Sequence, residues 1–227
     1  MLLEEVMTSL KKLANPKSVE GMARYGINPE GTLGVSLPNL RKIAKEIGKD
    51  HELAAELWAT GIHEARILAA LVDEPGQVTV EQMDVWATGF DSWDVCDQCC
   101  CNLFEKTEYA WEQLVAWSSR EEEFVKRAAF ALMACLAWHD KSATDTQMKK
   151  LLPVIKRESW DERNFVKKAV NWALRNIGKR NENLNRAAIK AAREIEKQDS
   201  KAARWIARDA LRELTSDAVQ KRFKAGI

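Results

Sequence analysis

Apolar residues recur every three or four positions along most of this sequence, which is the spacing of one face of an α-helix. In residues 201–214, for example, Ile206, Ala210 and Leu214 form one apolar stripe, while charged side chains occupy the remaining faces. Alternating runs of β-branched residues, which would indicate strands, are absent from the sequence. The pattern predicts an all-α fold of about thirteen helices, each of about 10–18 residues, joined by short polar turns.

Capping signals support the helical interpretation. A Ser or Thr followed three residues later by Glu or Gln forms a capping box, in which two backbone N–H groups that the first turn leaves unpaired are satisfied by side chains. We expect a helix to begin at each of four such pairs, which are Thr79/Gln82, Ser119/Glu122, Thr144/Gln147 and Ser159/Glu162.

A sequence repeat indicates how the helices are arranged. The segment FVKRA at 124–128 recurs as FVKKA at 165–169, a shift of 41 residues, and related segments occur at 65–69 and 206–210. A period near 40 residues with two helices per unit is typical of HEAT and armadillo repeats, whose stacked helix pairs form a curved solenoid. We therefore predict a single domain, residues 1–227, built as an α-solenoid of HEAT-like repeats with a concave inner face.

Composition and charge narrow the class of protein. The 227 residues include 46% hydrophobic residues and only 10 Gly, which excludes a disordered or a fibrous chain. The longest uncharged run, residues 128–139, is too short to span a bilayer, and the acidic N-terminus is unlike a signal peptide. We therefore expect a soluble, cytoplasmic protein that makes no contact with membranes.

The net charge of +1 hides a gradient along the chain. Residues 61–160 carry a charge of −7 and residues 161–227 carry +8. The basic last third predicts a surface that faces a polyanion, with basic residues recurring at similar repeat positions on the concave face. These residues are Arg66, Arg127, Lys168 and Arg208. A basic trough suits an elongated anionic partner such as DNA, but it suits a peptide or another protein almost as well, and solvated helix faces would give the same pattern.

Two tryptophans stand beside polar residues at helical spacing. Trp93 and Asp97 are four residues apart and would share one helix face. Trp172 and Arg175 would be neighbours on another helix. Local sequence alone favours buried tryptophans and a structural aspartate over a functional site.

Four motifs in order carry a family resemblance. They are GVSLPNLRK at 34–42, WDVCD at 93–97, FVKRA at 124–128 and KAVNWALR at 168–175. Their order and spacing resemble the AlkD-like DNA alkylation repair family, which consists of HEAT-like-repeat DNA glycosylases, over most of the chain. The resemblance implies that the protein removes N3- and N7-alkylated purines from double-stranded DNA without flipping the base into a pocket.

The same resemblance implies roles for individual residues. Asp97 matches the catalytic aspartate, Trp93 and Trp172 match the tryptophans that flank the sugar of the lesion, and Arg127 matches an arginine that contacts the DNA backbone. We further expect phosphate contacts from Lys126, Lys167, Lys168, Arg175 and Arg208. The resemblance implies no cofactor, and we expect a monomer.

The substrate chemistry agrees with a site that holds one carboxylate. A cationic alkylated purine leaves as a neutral base, so it needs no general acid, unlike the leaving group of an ordinary glycosidase. A carboxylate beside C1′ can stabilise the positive charge that develops on the deoxyribose and can orient a water molecule. Two indole rings can add cation–π stabilisation of about 0.5–2 kcal/mol each. Neutral lesions should therefore be poor substrates.

The cysteines beside Asp97 offer a competing interpretation. Cys96 and Cys99 have the spacing of a metal or redox motif, but the sequence has no second C-x-x-C and no nearby histidine. We expect small buried thiols and assign no metal. The cysteines concerned are Cys96, Cys99, Cys100 and Cys101.

The alternative function is a non-catalytic HEAT-repeat module that binds branched or damaged DNA, or a protein partner. One fold can host several functions, so a solenoid of this kind can lack chemistry. The presence of Trp93, Asp97 and Trp172 together in one sequence favours the enzyme.

Overall fold

Every regular element in the described part of the chain is helical. The computed structural model describes residues 1–224, and in that range it contains fourteen α-helices, one 3₁₀ helix and no β-strand. The predicted all-α class is therefore confirmed, with one helix more than expected. No helix within residues 1–224 is long and apolar enough to cross a membrane.

The contacts within the chain group into two compact units, residues 1–110 and residues 111–227. The first unit holds α1 (Leu3–Lys12), α2 (Pro16–Arg24), α3 (Leu37–Ile47), α4 (His51–Ala59), α5 (His63–Val72), α6 (Val80–Thr88), α7 (Trp93–Asn102) and the 3₁₀ helix (Phe104–Lys106). Helix α8 (Ala110–Ser118) begins at the boundary. The second unit continues with α9 (Glu123–His139), α10 (Asp145–Glu158), α11 (Asn164–Gly178), α12 (Glu182–Ile195), α13 (Lys201–Leu214) and α14 (Asp217–Lys224). The single domain expected from the sequence stays a prediction.

The odd-numbered helices of the first unit form a row. Helix α3 packs against α5 and α5 packs against α7, while α4 packs mainly against α5. Leu40, Leu68 and Phe104 are fully buried in this packing. Trp58 and Trp86 stack with their ring centroids 4.2 Å apart. This row brings the first turns of α5 and α7 together.

Two long helices form the centre of the second unit. Helices α9 and α11 pack against each other along their lengths, and α11 also contacts α12 and α13. Phe124 and Phe165 each hold the second position of their helix, and their ring centroids lie 5.5 Å apart. The 41-residue repeat therefore corresponds to α9 and α11, equivalent helices of successive repeats that stack on each other, as in HEAT-like repeats.

The last copy of the repeat is displaced in its helix. The segment at 206–210 begins at the sixth residue of α13, whereas the two copies at 124–128 and 165–169 begin at the second residue of α9 and α11. Counted from the first residue of each helix, Trp205 is therefore the fifth residue of α13, as Lys168 is the fifth residue of α11. Arg208 lies almost one turn further along than the sequence repeat predicts.

Two of the four predicted helix starts are confirmed, those at Thr79 and Thr144. In both, the threonine hydroxyl group accepts the backbone N–H three residues later. The predicted starts at Ser119 and Ser159 are wrong, because each serine directly follows the end of a helix. Their hydroxyl groups donate to carbonyl oxygens three residues earlier, which satisfies the last turns of α8 and α10 rather than the first turns of α9 and α11.

Candidate functional site

The first turn of α7 is fastened to the loop that follows α2. Ser92 occupies the N-cap position, and its Oγ accepts the backbone N–H of Asn28 at 2.9 Å. The indole Nε1 of Trp93 donates to the carbonyl oxygen of Tyr25 at 3.1 Å. Because these bonds join segments more than sixty residues apart, they fix where α7 begins and how the Trp93 ring is oriented.

Asp97 lies one helical turn beyond Trp93, so the two half-buried side chains share one side of α7. Cys96, Cys99 and Cys100 face the core as fully buried free thiols, which confirms the prediction for these three. The prediction is wrong for Cys101, which is only half-buried and is disulfide-bonded. Burial raises the pKa of the Cys99 thiol well above its ordinary value, so the thiol stays protonated. Within residues 1–224, no group of three or more His, Cys, Asp or Glu side chains is arranged to hold a metal ion.

A histidine–aspartate pair that sequence reasoning missed joins α5 to α7. The Nε2 of His63 lies 2.9 Å from Oδ2 of Asp94. Burial alone lowers the pKa of His63, but the hydrogen bond and the negative charge of Asp94 outweigh it, so this pKa is raised above its ordinary value. The pair borders a cavity of about 300 Å³ whose other lining is mostly apolar and includes Trp93.

Glu64 anchors the motif at 34–42, a contact that sequence reasoning also missed. Its buried carboxylate accepts the backbone N–H groups of residues 33–35 at 2.8, 2.6 and 3.1 Å. Gly34 has a φ of +78°, and a Cβ atom there would collide with the carbonyl oxygen of Asn15. The motif therefore holds the chain before α3 against α5. Ionisable residues at the start of an otherwise apolar helix were the available sequence signal for this contact and for the histidine pair.

Lys126 and Arg127, both expected to contact DNA, are buried in α9, with 5% and 6% of their surfaces exposed. The Nζ of Lys126 lies 2.9 Å from Glu158 and 3.6 Å from Asp161. The Nη1 of Arg127 donates to the carbonyl oxygen of Phe165 at 2.7 Å, which ties α9 to the start of α11. Both cations thus join successive repeats, and their contacts with DNA stay predictions.

Helix α11 carries Trp172 and Arg175 as neighbours, with Lys168 one turn before Trp172. Lys168 is exposed and Trp172 is half-buried. The Nη1 of Arg175 lies 3.1 Å from Asp209 and 3.0 Å from Glu213, both on α13. The charge of Arg175 is therefore already compensated by two carboxylates.

Helix α13 presents a basic side with a tryptophan in its middle. Arg204, Arg208 and Arg212 recur every four residues along this side. The Nζ of Lys167, on α11, lies 5.2 Å from the ring centroid of Trp205. Sequence reasoning identified Lys167 and Arg208 here but missed Trp205, because a tryptophan in a helix usually belongs to the core.

The three residues that are expected to surround the sugar do not all belong to the same unit. Trp93 and Asp97 lie on α7, within residues 1–110, and Trp172 lies on α11, within residues 111–227. The convergence of all three on one deoxyribose stays a prediction.

Comparison with known families gives a direct result. A family model described as a DNA alkylation repair enzyme matches residues 6–214, which is most of the chain. This chain belongs to that family. The resemblance stated from the four sequence motifs is thereby confirmed.

Relatives and a solved structure are similar over nearly the same length. The uncharacterized protein Lin0241 of Listeria innocua serovar 6a is 23% identical over 198 residues, and the uncharacterized protein Lmo0209 of Listeria monocytogenes serovar 1/2a is 21% identical over 198 residues. Each alignment covers 86% of both chains. The solved structure represents a new family of proteins related to the HEAT-like repeat DNA glycosylases with affinity for branched DNA structures. It is 21% identical, with a TM-score of 0.78, and the match covers 100% of this chain and 95% of that one, which confirms the HEAT-like helical fold.

Proposed function

We propose that this member of the DNA alkylation repair family is a DNA glycosylase. It hydrolyses the N-glycosidic bond of cationic N3- and N7-alkylated purines in double-stranded DNA, without flipping the base into a pocket. The observation that carries the proposal is the position of Trp93 and Asp97 on one side of a helix whose first turn is fixed by bonds to Tyr25 and Asn28. A preorganised electrostatic site needs a carboxylate and an aromatic ring held in this way.

Asp97 acts on the sugar rather than on the base. As the bond between C1′ and the purine nitrogen breaks, its electrons leave with the cationic purine, which becomes neutral, and positive charge develops on the deoxyribose. The Asp97 carboxylate stabilises that charge and orients a water molecule. The water oxygen bonds to C1′, and its proton passes to the carboxylate or to solvent. The products are the free alkylated base and an abasic site.

Trp93 and Trp172 supply aromatic faces to the same developing charge. Each cation–π contact contributes about 0.5–2 kcal/mol, and the contribution grows as water is excluded. A lesion without a positive charge is a worse leaving group at a site that offers no general acid. The enzyme should therefore release neutral lesions slowly.

The phosphate contacts follow from which basic side chains are accessible. Lys168 and Arg208 are exposed, and Lys167 and Arg175 are half-buried, so these four can approach a DNA backbone from α11 and α13. Lys126 and Arg127 complete the proposed set, but they can reach a phosphate only by giving up their present contacts with Glu158, Asp161 and Phe165.

The decisive experiment measures release of N7-methylguanine from duplex DNA. Asp97→Asn removes the negative charge and keeps the shape of the side chain, and we expect it to slow release by roughly 100-fold or more. Glu108→Gln is the control, because it removes an exposed carboxylate of the same unit. Unchanged release by the folded Asp97→Asn protein would refute the assigned role.

One observation favours a second function. The solved structure that matches the whole of this chain represents a family with affinity for branched DNA. On this alternative, the chain is a non-catalytic module that binds branched or damaged DNA. Binding to a four-way junction without release of N7-methylguanine from any DNA would support the module and exclude the glycosylase. If the chain binds neither kind of DNA, both DNA-binding functions are excluded, and the protein partner is the alternative that is left.

A further inference from the structure

One side of α13 combines four cations with an exposed aromatic ring. Its residues recur on successive turns of the helix and line a shallow depression of about 430 Å³. They are Lys201, Arg204, Trp205, Arg208, Asp209 and Arg212. The opposite side of the helix is formed by small and apolar residues that are buried in the second unit. The basic side is therefore a solvent-facing surface, and packing does not explain its composition.

Trp205 is poorly explained as a core residue. It stays 40% exposed, whereas a tryptophan that serves packing usually buries most of its ring. The ammonium group of Lys167 lies 5.2 Å from the ring centroid. This cation–π contact restrains the ring while leaving much of it accessible.

The charge around Trp205 is positive. Arg208 and Arg212 expose 74% and 79% of their side chains. The one carboxylate that lines the depression belongs to Asp209, which Asn171 and Arg175 bind from α11 and Arg212 binds within α13. Exposed ion pairs of the surrounding arginines with neighbouring carboxylates are weak and are readily exchanged for phosphate.

A second exposed tryptophan, Trp160, differs from Trp205 in the charge of the residues around it. Trp160 is 56% exposed, and the Nζ of Lys126 lies 5.5 Å from its ring centroid, so it resembles Trp205 in both respects. The depression around Trp160 is instead acidic. Its four carboxylates outnumber its two cations, Lys126 and Arg163, and belong to Glu121, Glu158, Asp161 and Glu162. Phosphate would be repelled there, so the chain itself contains a matched comparison for Trp205.

We propose that the Trp205 ring is a stacking platform for an unpaired nucleobase of DNA, with Arg204, Arg208 and Arg212 holding the adjoining phosphates. A paired duplex presents only base edges in its grooves, whereas an unpaired nucleotide can offer the face of its ring. Stacking on an aromatic side chain works with any base, so the platform selects unpaired DNA without selecting sequence. The inference rests on the DNA-binding part of the proposed function and names the class of DNA that this surface selects.

The test compares two DNAs of the same sequence, one fully paired and one with a bulge of unpaired thymines. Affinities of the full chain are measured at one fixed salt concentration, because phosphate contacts are salt-dependent. We expect Trp205→Ala to reduce the preference for bulged over paired DNA by roughly 10-fold, in the range of one lost stacking contact. Trp205→Tyr should retain most of the preference, since tyrosine still offers a ring. Trp160→Ala should leave the preference unchanged.

Three results would overturn the inference. One is an unchanged preference in folded Trp205→Ala, and another is an equal loss of affinity for both DNAs, which would make Trp205 an ordinary contact to the backbone. The third is Trp205-dependent binding of an acidic peptide in place of DNA. Release of N7-methylguanine from paired DNA by the unaltered chain tests the glycosylase separately, so either proposal can fail while the other stands.

Discussion

Replacing Lys126 by methionine tests whether this lysine serves the fold or the DNA. Its ammonium group is buried, 2.9 Å from the Glu158 carboxylate and 3.6 Å from that of Asp161. Both carboxylates are themselves buried, so the substitution removes a cation from between two anions that water reaches poorly. Methionine keeps nearly the same length and volume, which confines the perturbation to the charge.

The magnitude follows from the partners that remain. Removing one member of a buried ion pair costs about 3–5 kcal/mol, because the other member is left buried without its counter-ion. Here Arg157 still binds Glu158, and Arg163 still binds Asp161, so we take the lower end of the range. With a urea dependence of about 2–3 kcal/mol per M, a loss of about 3 kcal/mol lowers the unfolding midpoint by about 1–1.5 M.

Urea unfolding followed by circular dichroism measures this shift, and Lys168→Met is the control. Lys168 is exposed, so its substitution should change the free energy of unfolding by less than about 0.5 kcal/mol. DNA binding gives the second readout, because losing one phosphate contact lowers the salt slope of the affinity by about 0.9. A Lys126→Met protein of normal stability would refute the reasoning, whereas a salt slope lowered by about 0.9 would show that Lys126 also makes the phosphate contact proposed for it.

Two further predictions concern the first unit. Gly34→Ala should cost at least about 2 kcal/mol of unfolding free energy, because Gly34 has positive φ and a Cβ atom there meets Asn15. Gly48→Ala, at an equally positive φ in open space, should cost less in the same urea titration, and an equal cost would exclude the collision as the cause. The second prediction concerns pH: the pair with Asp94 raises the pKa of His63, so its stabilisation is complete below about pH 6.5 and declines as pH rises through the higher folded pKa. The stability advantage over His63→Gln should accordingly shrink as pH rises above about 6.5, and an advantage that grows with pH would contradict the assignment.

The helices could be predicted because the sequence signals for each helix lie within or directly beside its own residues. Apolar spacing and the caps at Thr79 and Thr144 are local signals, and the structure obeys them. Ser119 and Ser159 matched the same capping pattern, but a serine hydroxyl group can close the end of a helix as well as begin one. Where two helices are separated by a turn of a few residues, the pattern alone does not distinguish the two uses.

The geometry of the candidate site was predictable only where its residues share one helix. Trp93 and Asp97 follow from a spacing of four residues. The burial of Lys126 depends on Glu158, which is 32 residues away and reaches it only after the next helix has packed. A repeat with nearly identical letters therefore gave no sign that Lys126 is enclosed while its counterpart Lys167 is only half-buried.

The formal charge of the last third is distributed very unevenly over the folded second unit. Arg175 on α11 and Lys179, which directly follows α11, lie 3.0 and 2.8 Å from the carboxylate of Glu213 on α13, so part of the +8 is compensated by a neighbouring helix. Arg208 and Arg212, on α13, also form ion pairs, with Glu196 and Asp209, but 74% and 79% of their side chains stay exposed. Because electrostatic affinity for DNA depends on the number of phosphates that cations can neutralise, compensated charges contribute less than exposed ones. Within this unit, the side of α13 that carries Trp205 is thus one place where exposed cations of the last third lie together.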